Sequence, residues 1–370
     1  MAPSPPTAAR TAITGVRVFD GERLTPERTV VLEAGLITSA NSPAAGDTLT
    51  DGRGGTLLPG LIDSHIHLHG PQTLDACARW GVTTGLDMAS RPPTLVDSLR
   101  RLVGTSDIRS ANSPASAPGS PQTTFMGFDA STALRGPHDA ETFVQQRVDE
   151  NSDYIKVIVE DPVARAGIAL SPDTIAAIVH AAHRQGLRVF AHATTTGAYR
   201  LAAGAGVDVL THAPVDQDLD DDLLALLQSR PVVCVPTLTM MQAVTALGRT
   251  AEQAAQAYGH ASAAVRAMHA AGIAVVAGTD ANAAPGSPAP IAHGKALHDE
   301  LALLVSAGLS PVQALRSATV LPARLFDLPD RGAATAGLRA DLLLVDGDPT
   351  RDITATAAVR GVWSHGTQVR

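Results

Sequence analysis

The sequence predicts a (β/α)8 TIM barrel with a small β-sandwich domain built from both ends of the chain. Between residues 59 and 328, apolar runs rich in β-branched side chains alternate with alanine- and leucine-rich stretches of helical period. This alternation is typical of βα units around a parallel sheet. The flanking segments 1–58 and 329–370 contain short β-like runs without a helical period. Because such barrels commonly reach roughly 250 residues as one domain, the chain length of 370 residues leaves room for an accessory domain.

Composition narrows the class of protein. The net charge of −8 includes no basic block, and aromatic residues make up only 3% of the chain, so nucleic-acid binding is not expected. No apolar run approaches the roughly 20 residues that span a bilayer, and the N-terminal segment lacks the apolar stretch of a secretory signal. We therefore expect a cytoplasmic protein that binds no membrane. Cys77 and Cys234 lie far apart, which indicates neither a disulfide framework nor a zinc finger.

The two chain ends have the same β character. Near the N-terminus, AITGVRVFD and RTVVLEAGLITSA are separated by turn residues such as Asp20-Gly21. After Phe326 the sequence again has β character, in the runs ADLLLVDGDP and VRGVWSHGTQV. We expect the segments 1–58 and 329–370 to pair as one small domain beside the barrel at 59–328.

Eight runs are the expected barrel strands. They are 61–67, 82–88, either 107–112 or 124–128, 153–159, 188–193, 207–213, 231–238 and 273–281. Ser171 as N-cap, Pro172 and Gly186 mark the ends of one helix, and Ser310-Pro311 begins another, expected to continue to 326. Two loop-like stretches, 110–122 and 281–290, follow strands at the expected C-terminal face and are candidate lids.

Polar side chains occur at the ends of these strands. His65 and His67 lie two residues apart, so the strand period places both on one face, although a histidine pair can also be a polar core pair. His192, His212 and Asp280 follow later strands, and C-terminal strand ends of a barrel point into its catalytic mouth. Asp280 could ligate a metal and exchange protons with bound water, or cap a helix.

Lys156 stands in the apolar strand DYIKVIV, and Lys295 is the only other lysine. One interpretation is a surface lysine at a strand end. Inside a barrel, however, desolvation would lower the pKa of the amine towards neutrality. A neutral amine can add CO2 and become a carbamate, whose two oxygens can bridge two metal ions.

These motifs together resemble the amidohydrolase superfamily, and more closely its imidazolonepropionase-like and prolidase-like group. The motifs are PGLIDSHIH (59–67), YIKV around Lys156, AHA around His192, THAP around His212, GTDA around Asp280 and GLRADLLLVDGDP (337–349). The resemblance implies that His65, His67 and Asp280 bind the more buried metal and that His192 and His212 bind the second. Carboxylated Lys156 and a hydroxide would bridge them.

The mechanism that this resemblance implies is hydrolysis of an amide-type C–N bond in a dipeptide, an N-acyl amino acid or a cyclic amide. Two divalent ions, zinc being the first choice, would lower the pKa of the bridging water, and Asp280 would shuttle its proton. His138, in a loop before the fourth strand, is a candidate substrate contact, guided partly by the resemblance.

Several alternatives remain open at this point. A lactone, ester or organophosphate could be cleaved by the same metal site. A deaminase with one metal would leave Lys156 an ordinary amine, and a non-catalytic relative would keep the barrel only as a scaffold. A small-molecule substrate is the expected partner, and because barrels of this sort often pair, a homo-oligomer is also open.

Overall fold

The computed structural model describes residues 10–165, 167–283, 287 and 289–370. The strands at the two chain ends are β1 (Thr11–Val18), β2 (Arg28–Glu33), β3 (Leu36–Ile37), β4 (Thr48–Asp51), β5 (Thr56–Pro59), β14 (Leu342–Val345), β15 (Val359–Ser364) and β16 (Thr367–Gln368). The strands between them are β6 (Leu61–Ile66), β7 (Val82–Asp87), β8 (Asp107–Ser110), β9 (Ile155–Ile158), β10 (Val189–His192), β11 (Val209–Thr211), β12 (Val233–Val235) and β13 (Ala274–Val275).

Helices separate most of the inner strands. They are α1 (Pro71–Arg79), α2 (Pro93–Leu99), α3 (Pro121–Thr124), α4 (Ala140–Asp149), α5 (Pro172–Arg184), α6 (Thr196–Ala205), α7 (Asp221–Gln228), α8 (Leu238–Thr245), α9 (Ala251–Ala270), α10 (Lys295–Ser306), α11 (Pro311–Ser317) and α12 (Val320–Leu325). Short 3-10 helices cover Ala130–Thr132, Pro137–Asp139 and Ile353–Ala357. No helix among the described residues is long and apolar enough to cross a bilayer.

The two chain ends meet in one eight-stranded sheet. Its order is β16-β15-β14-β5-β1-β2-β3, with β4 beside β1. Antiparallel pairing of β5 with β14 places Leu58 opposite Leu343, and Trp363 of β15 is fully buried in a cluster with Ile13 and Leu57. Strands from both chain ends therefore share one sheet, and the small β-sandwich domain stays a prediction.

The inner strands form two parallel sheets in a TIM-barrel-like α/β arrangement. One has the order β6-β7-β8 and the other β13-β12-β11-β10-β9. Single parallel bridges connect the sheets at both margins, Ile66 with Ala281 and Ala115 with Val157. The carbonyl ends of the strands consequently converge on one side.

The interior side chains of the inner strands lie in layers. Tyr154, Phe190 and Val209 belong to a buried apolar cluster, in which the Tyr154 and Phe190 rings are 4.4 Å apart. Because strand side chains repeat every two residues, Lys156 and His192 follow one layer higher on β9 and β10. This apolar layer therefore lies directly below the polar groups at the strand ends.

Two sequence predictions concern the ends of helices. The Ser171 hydroxyl accepts a hydrogen bond from the Thr174 amide at 3.1 Å, which confirms the predicted N-cap. The helix expected to run from 311 to 326 is divided into α11 and α12. Pro322 lacks the N–H that a continuous helix would need there, and proline is accommodated in the first turn of a new helix.

The other two differences concern the segment between β8 and β9. The alternative strand at 124–128 is wrong, because α3 ends at Thr124 and β8 is the third inner strand. The segment 110–117 is buried, and its Ala115 amide donates to the Lys156 carbonyl at 2.8 Å. It therefore pairs with β9 and does not form the predicted lid. The second candidate lid, 281–290, includes residues 284–286 and 288, which lie outside the described residues.

Candidate metal centre

Two histidines of β6 and one aspartate meet at the mouth of the inner sheets. His65 lies in β6, His67 directly follows it, and Asp280 follows β13. The Asp280 Oδ1 atom lies 3.4 Å from His65 Nε2 and 3.0 Å from His67 Nε2. One nitrogen or oxygen atom from each of the three residues lies within 4.8 Å of the others, so these residues could hold one metal ion.

The buried carboxylate of Asp63 connects the backbone at His65 to the residue before Asp280. Asp63 accepts hydrogen bonds from the Thr279 hydroxyl at 2.7 Å, the Thr279 amide at 3.0 Å and the His65 amide at 3.2 Å. Burial raises the pKa of Asp63 to about 7, although the Thr279 hydrogen bonds oppose the increase. The next residue, Asp280, adopts a left-handed φ of +57°, a conformation that aspartate tolerates better than most residues. Asp63 and Thr279 therefore position the Asp280 side chain.

The tautomer of His67 bears directly on metal binding. Its Nδ1 lies 3.0 Å from the Ala89 carbonyl oxygen, so Nδ1 must be the donor. In a neutral ring, Nε2 then presents a lone pair to the Asp280 carboxylate. Two acceptors at this distance require a cation between them, either a proton or a metal ion. Without a metal ion that cation is a proton: burial lowers the pKa of His67, but the hydrogen bond and charge of Asp280 outweigh burial and raise it.

His192 and His212 extend the cluster on one side. Their ring centroids are 4.5 Å apart, and His212 lies 4.9 Å from His65 by the same measure. The His212 Nδ1 atom lies 2.8 Å from the Thr237 hydroxyl and 3.9 Å from Asp280 Oδ2. Because Nδ1 is hydrogen-bonded to Thr237, Nε2 is the nitrogen of His212 that is available to bind a metal ion. A φ of +73° at His212 turns the side chain from the end of β11 into the mouth.

Lys156 lies beneath these imidazoles with only 3% of its surface exposed. Its Nζ donates to the Thr211 hydroxyl at 2.6 Å, and Thr211 donates in turn to the Ala191 carbonyl at 3.1 Å. Burial lowers the pKa of Lys156 to about 7, against the opposing charge of Asp280. A substantial fraction of the amine is thus neutral at neutral pH, as nucleophilic addition to CO2 requires.

The remaining imidazoles are held in their neutral form. Burial is the main cause that lowers the pKa of His192 to about 3, and the charge of Lys156 adds to it. Burial followed by the Lys156 charge lowers that of His65, and burial followed by the charges of His192 and Lys156 lowers that of His212. Neutral imidazole is the metal-binding form. Electrostatic interactions thus link Lys156 to the predicted histidine and aspartate ligands.

Unpartnered polar atoms test whether a metal fits. When His67 is neutral and its proton is on Nδ1, neither the buried Asp280 Oδ1 nor the buried His65 Nδ1 has a hydrogen-bond partner among the described residues. Leaving such atoms unpaired in an apolar interior costs free energy. Imidazole nitrogens and a carboxylate oxygen suit divalent zinc and related transition metals. The residues at this position consequently fit a bound cation.

Comparison with known proteins decides the family. The model of the amidohydrolase family matches residues 56–369, most of the chain. The chain belongs to the amidohydrolase family. As a member it is a hydrolase that acts on carbon–nitrogen bonds, and its expected small-molecule substrate agrees with this class.

Individual relatives agree with the assignment. The amidohydrolase is 28% identical to an uncharacterized protein of Mycobacterium tuberculosis (strain ATCC 25618 / H37Rv) over 346 residues, 84% of each chain. It is 43% identical to the imidazolonepropionase of Deinococcus deserti over 103 residues, which are 27% of this chain and 24% of that enzyme. A solved structure of a putative prolidase from Bifidobacterium longum superposes with a TM-score of 0.82 at 25% identity, covering 98% of this chain and 95% of that one. The predicted prolidase-like and imidazolonepropionase-like resemblance is confirmed.

His138 is not brought into the cluster by any described contact. Its side chain is 77% exposed, and its imidazole lies 3.5 Å from the Asp139 carboxylate. The 3-10 helix that carries it leads into the outer helix α4. The substrate contact at His138 therefore stays a prediction without support from the described interactions.

Sequence reasoning missed the groups that orient the cluster. Glu300 of α10 accepts hydrogen bonds from the Leu238 amide at 2.9 Å and the Thr239 amide at 2.7 Å. It thereby holds the start of α8 directly after Thr237, the partner of His212. Burial raises the pKa of Glu300 to about 7 against these hydrogen bonds. For Asp63 a signal existed, since it stands two residues before His65 on the same strand; for Glu300 the sequence contains none.

Proposed function

We propose that the chain is a binuclear metal-dependent amidohydrolase that cleaves the amide-type C–N bond of a dipeptide, an N-acyl amino acid or a cyclic amide. In this proposal His65, His67 and Asp280 hold one divalent ion, and His192 and His212 hold the other. Carboxylated Lys156 would supply ligand oxygens to both ions, and zinc is the first choice of metal. The observation that carries the proposal is the cluster at the strand ends, where ligand atoms of His65, His67 and Asp280 lie within 4.8 Å of one another and His212 and His192 lie beside them.

The proposal includes a closed (β/α)8 barrel over residues 59–328, with a small β-sandwich domain from 1–58 and 329–370. The bridges between Ile66 and Ala281 and between Ala115 and Val157 support closure. The amide of Asp280 also donates to the His65 carbonyl at 2.8 Å across the first of these margins. Closure matters for function because it brings the first and last strand ends together at Asp280.

Lys156 would become a carboxylated ligand by reaction of its amine with CO2. The neutral Nζ would form a bond to the carbon of CO2 while one C=O π bond breaks, and the proton lost from nitrogen would pass to water, leaving an N–H and two carboxylate oxygens. The buried site promotes this step because desolvation disfavours the ammonium form. Thr211, which accepts a hydrogen bond from Nζ, orients the nitrogen during the change.

The bound ions would supply an acidified water and a polarised substrate carbonyl. Asp280 would take the proton from that water and return it to the leaving nitrogen. Its central position, between His65 and His67 at Oδ1 and near His212 at Oδ2, supports this role. Neither a nucleophilic serine nor a reactive cysteine is needed. Cys77 and Cys234 are buried, and burial raises the pKa of both thiols.

A mononuclear site, as in a deaminase, is the alternative that one observation favours. Among the described residues, His65, His67 and Asp280 form the one set of three whose ligand atoms lie within 4.8 Å of one another. Lys156 would then remain an amine bonded to Thr211. The number of ions bound per chain separates the two arrangements.

The Thr237 hydroxyl should contribute to metal affinity through His212. We expect Thr237→Val to weaken metal binding by about 10- to 100-fold, the usual effect of removing a partner that orients a ligand. Metal titration with a chromogenic chelator as competitor would measure the change. Thr237→Ser keeps the hydroxyl that lies 2.8 Å from His212 Nδ1 and should retain most of the affinity. Equal metal affinity of the Thr237→Val variant and the wild type would show that Thr237 does not contribute to metal binding.

A substrate screen tests the proposed activity. Metal-loaded protein would be assayed against N-acyl amino acids, dipeptides, cyclic amides, lactones and organophosphate esters. We expect hydrolysis in one of the first three classes, loss of activity after chelation, and recovery on adding zinc. Preferential turnover of lactones or organophosphates would overturn the amide assignment while leaving the metal site intact.

A further inference from the structure

A cavity beside the candidate metal centre carries an arginine without a counterion. The cavity, called here the Arg91 cavity, has a volume of about 350 Å³. Its lining includes His67, Ser90, Arg91, Phe125, Phe128 and Asn282. Because His67 also belongs to the proposed metal site, a molecule in the Arg91 cavity would lie next to the reacting centre.

The backbone ties Arg91 to the metal cluster. Ala89, two residues before Arg91, accepts the hydrogen bond from His67 Nδ1 at 3.0 Å. Ser90 between them donates to the buried Asp87 carboxylate at 2.6 Å. The position of Arg91 relative to His67 is therefore set by a short, hydrogen-bonded segment.

The guanidinium of Arg91 is held by one edge and leaves the other edge for a ligand. Its Nε and Nη2 donate to the Met126 carbonyl at 3.2 and 2.8 Å. Its Cζ lies 5.7 Å from the centre of the Phe128 ring. The second edge, formed by Nη1 and the other N–H of Nη2, has the geometry that binds a carboxylate with two hydrogen bonds.

No described carboxylate forms an ion pair with the exposed Arg91, although Asp129 and Glu150 line a second cavity to which Arg91 also contributes. Arg91 takes part in none of the ion pairs between described residues, and no described residue lining the Arg91 cavity is acidic. The residues outside the description, 1–9, 166, 284–286 and 288, include neither aspartate nor glutamate. Asp87 lies behind the wall, where the hydroxyls of Ser90 and Ser110 occupy its two oxygens.

The wall beside Arg91 is apolar. The chain contains six phenylalanines, and two of them, Phe125 and Phe128, line this cavity. Phe125 is 70% exposed, so its ring is accessible to a molecule bound in the cavity. A ligand that fits the cavity thus combines an anionic group with an apolar group.

We infer that Arg91 binds the carboxylate of the substrate, and that the substrate is an N-acyl amino acid or a dipeptide with an apolar side chain next to that carboxylate. The inference rests on the proposed amide hydrolysis and chooses among its substrate classes. The scissile amide of such a molecule lies on the side of the cavity where His67 stands. Cyclic amides without a carboxylate would lack the Arg91 contact.

Paired substrates with and without the negative charge test the inference. We would compare acetate release from N-acetyl-L-leucine and from N-acetyl-L-leucinamide. Glycine release from glycyl-L-leucine and from glycyl-L-leucinamide would give a second pair. The wild type should prefer the acid, and Arg91→Gln should lower kcat/KM for the acid by about 10- to 100-fold, the scale of charge-assisted hydrogen bonds. For the amide, Arg91→Gln should change kcat/KM little, and Arg91→Lys should give an intermediate loss for the acid.

Two controls keep the outcome clear. Arg101→Gln removes the same charge from an exposed residue that lies outside the cavity and should leave both substrates unaffected. The metal content of Arg91→Gln should equal that of the wild type. An equal loss for the acid and the amide, or no preference for the acid in the wild type, would overturn the inference.

Binding separates this inference from the proposed activity. If no amide is hydrolysed, calorimetry with N-acetyl-L-leucine and N-acetyl-L-leucinamide would replace the kinetic assay. Tighter binding of the acid to wild type, lost in Arg91→Gln, would support the role of Arg91 and reject amide hydrolysis. Equal binding of both compounds, or no binding of the acid, would reject the role of Arg91.

Discussion

Substitution of Asp280 by asparagine should lower kcat by about 10²- to 10⁴-fold, the contribution usual for a positioned acid–base group. The amide of asparagine keeps one oxygen in place but cannot accept and return the proton of the attacking water. The other two members of the cluster, His65 and His67, are imidazoles, so the cluster offers no second carboxylate in place of Asp280. Steady-state kinetics on the best substrate of the screen would measure the effect.

A matched substitution separates chemistry from charge and folding. Asp75 is an exposed residue of α1, and Asp75→Asn should retain full activity. Circular dichroism and the metal content of Asp280→Asn would show whether the loss arises in turnover or in metal binding. Wild-type kcat in the Asp280→Asn variant would contradict the proton-transfer role.

Removal of the buried lysine should have an effect of comparable size. Lys156→Ala is expected to reduce the metal content from about two ions per chain to about one, because the bridging carbamate cannot form. Activity should fall by about 10²-fold or more, since the second ion that would help to acidify the water and polarise the substrate carbonyl would be missing. Emission spectroscopy of purified protein and kinetics on the same sample would measure both quantities.

Chemical rescue makes the lysine test specific. The truncated side chain leaves space in which a short carboxylic acid, such as propionate, can supply two oxygens, so millimolar acid should restore part of the activity. Lys295, the only other lysine, is exposed and pairs with Asp299 at 3.2 Å. Lys295→Ala should leave metal content and activity unchanged. Unaltered metal content in Lys156→Ala would contradict the carbamate.

The sequence predicted the parts of the site that depend on local signals. His65, His67, Lys156, His192 and His212 lie in a strand or at a strand end, and strand ends in a parallel α/β sheet converge whatever the loops do. The unusual residue types in apolar runs were therefore sufficient to bring these side chains to one place. Asp280 was found in the same way, although β13 ends at Val275 and a turn with backbone bonds to β6 completes its approach.

Other parts depended on contacts between distant segments. The hydrogen bond from the Thr279 hydroxyl to Asp63 joins residues 216 positions apart. The hydrogen bond from the Leu238 amide to Glu300 joins residues 62 positions apart. No local pattern encodes such a pair. The segment 110–117 has the small polar residues of a loop, yet its backbone pairs with β9, because hydrogen bonding to Lys156 and Ile158 satisfies its buried amides and carbonyls.

Metal content per chain is the measurement that tests the central claim most directly. The protein would be purified without chelators, supplemented with zinc during expression, and analysed by plasma emission spectroscopy against a protein concentration from amino-acid analysis. Six candidate ligands around one cluster, with Lys156 carboxylated, predict about two divalent ions per chain. A content that stays at or below one ion per chain after supplementation would contradict the binuclear hydrolase.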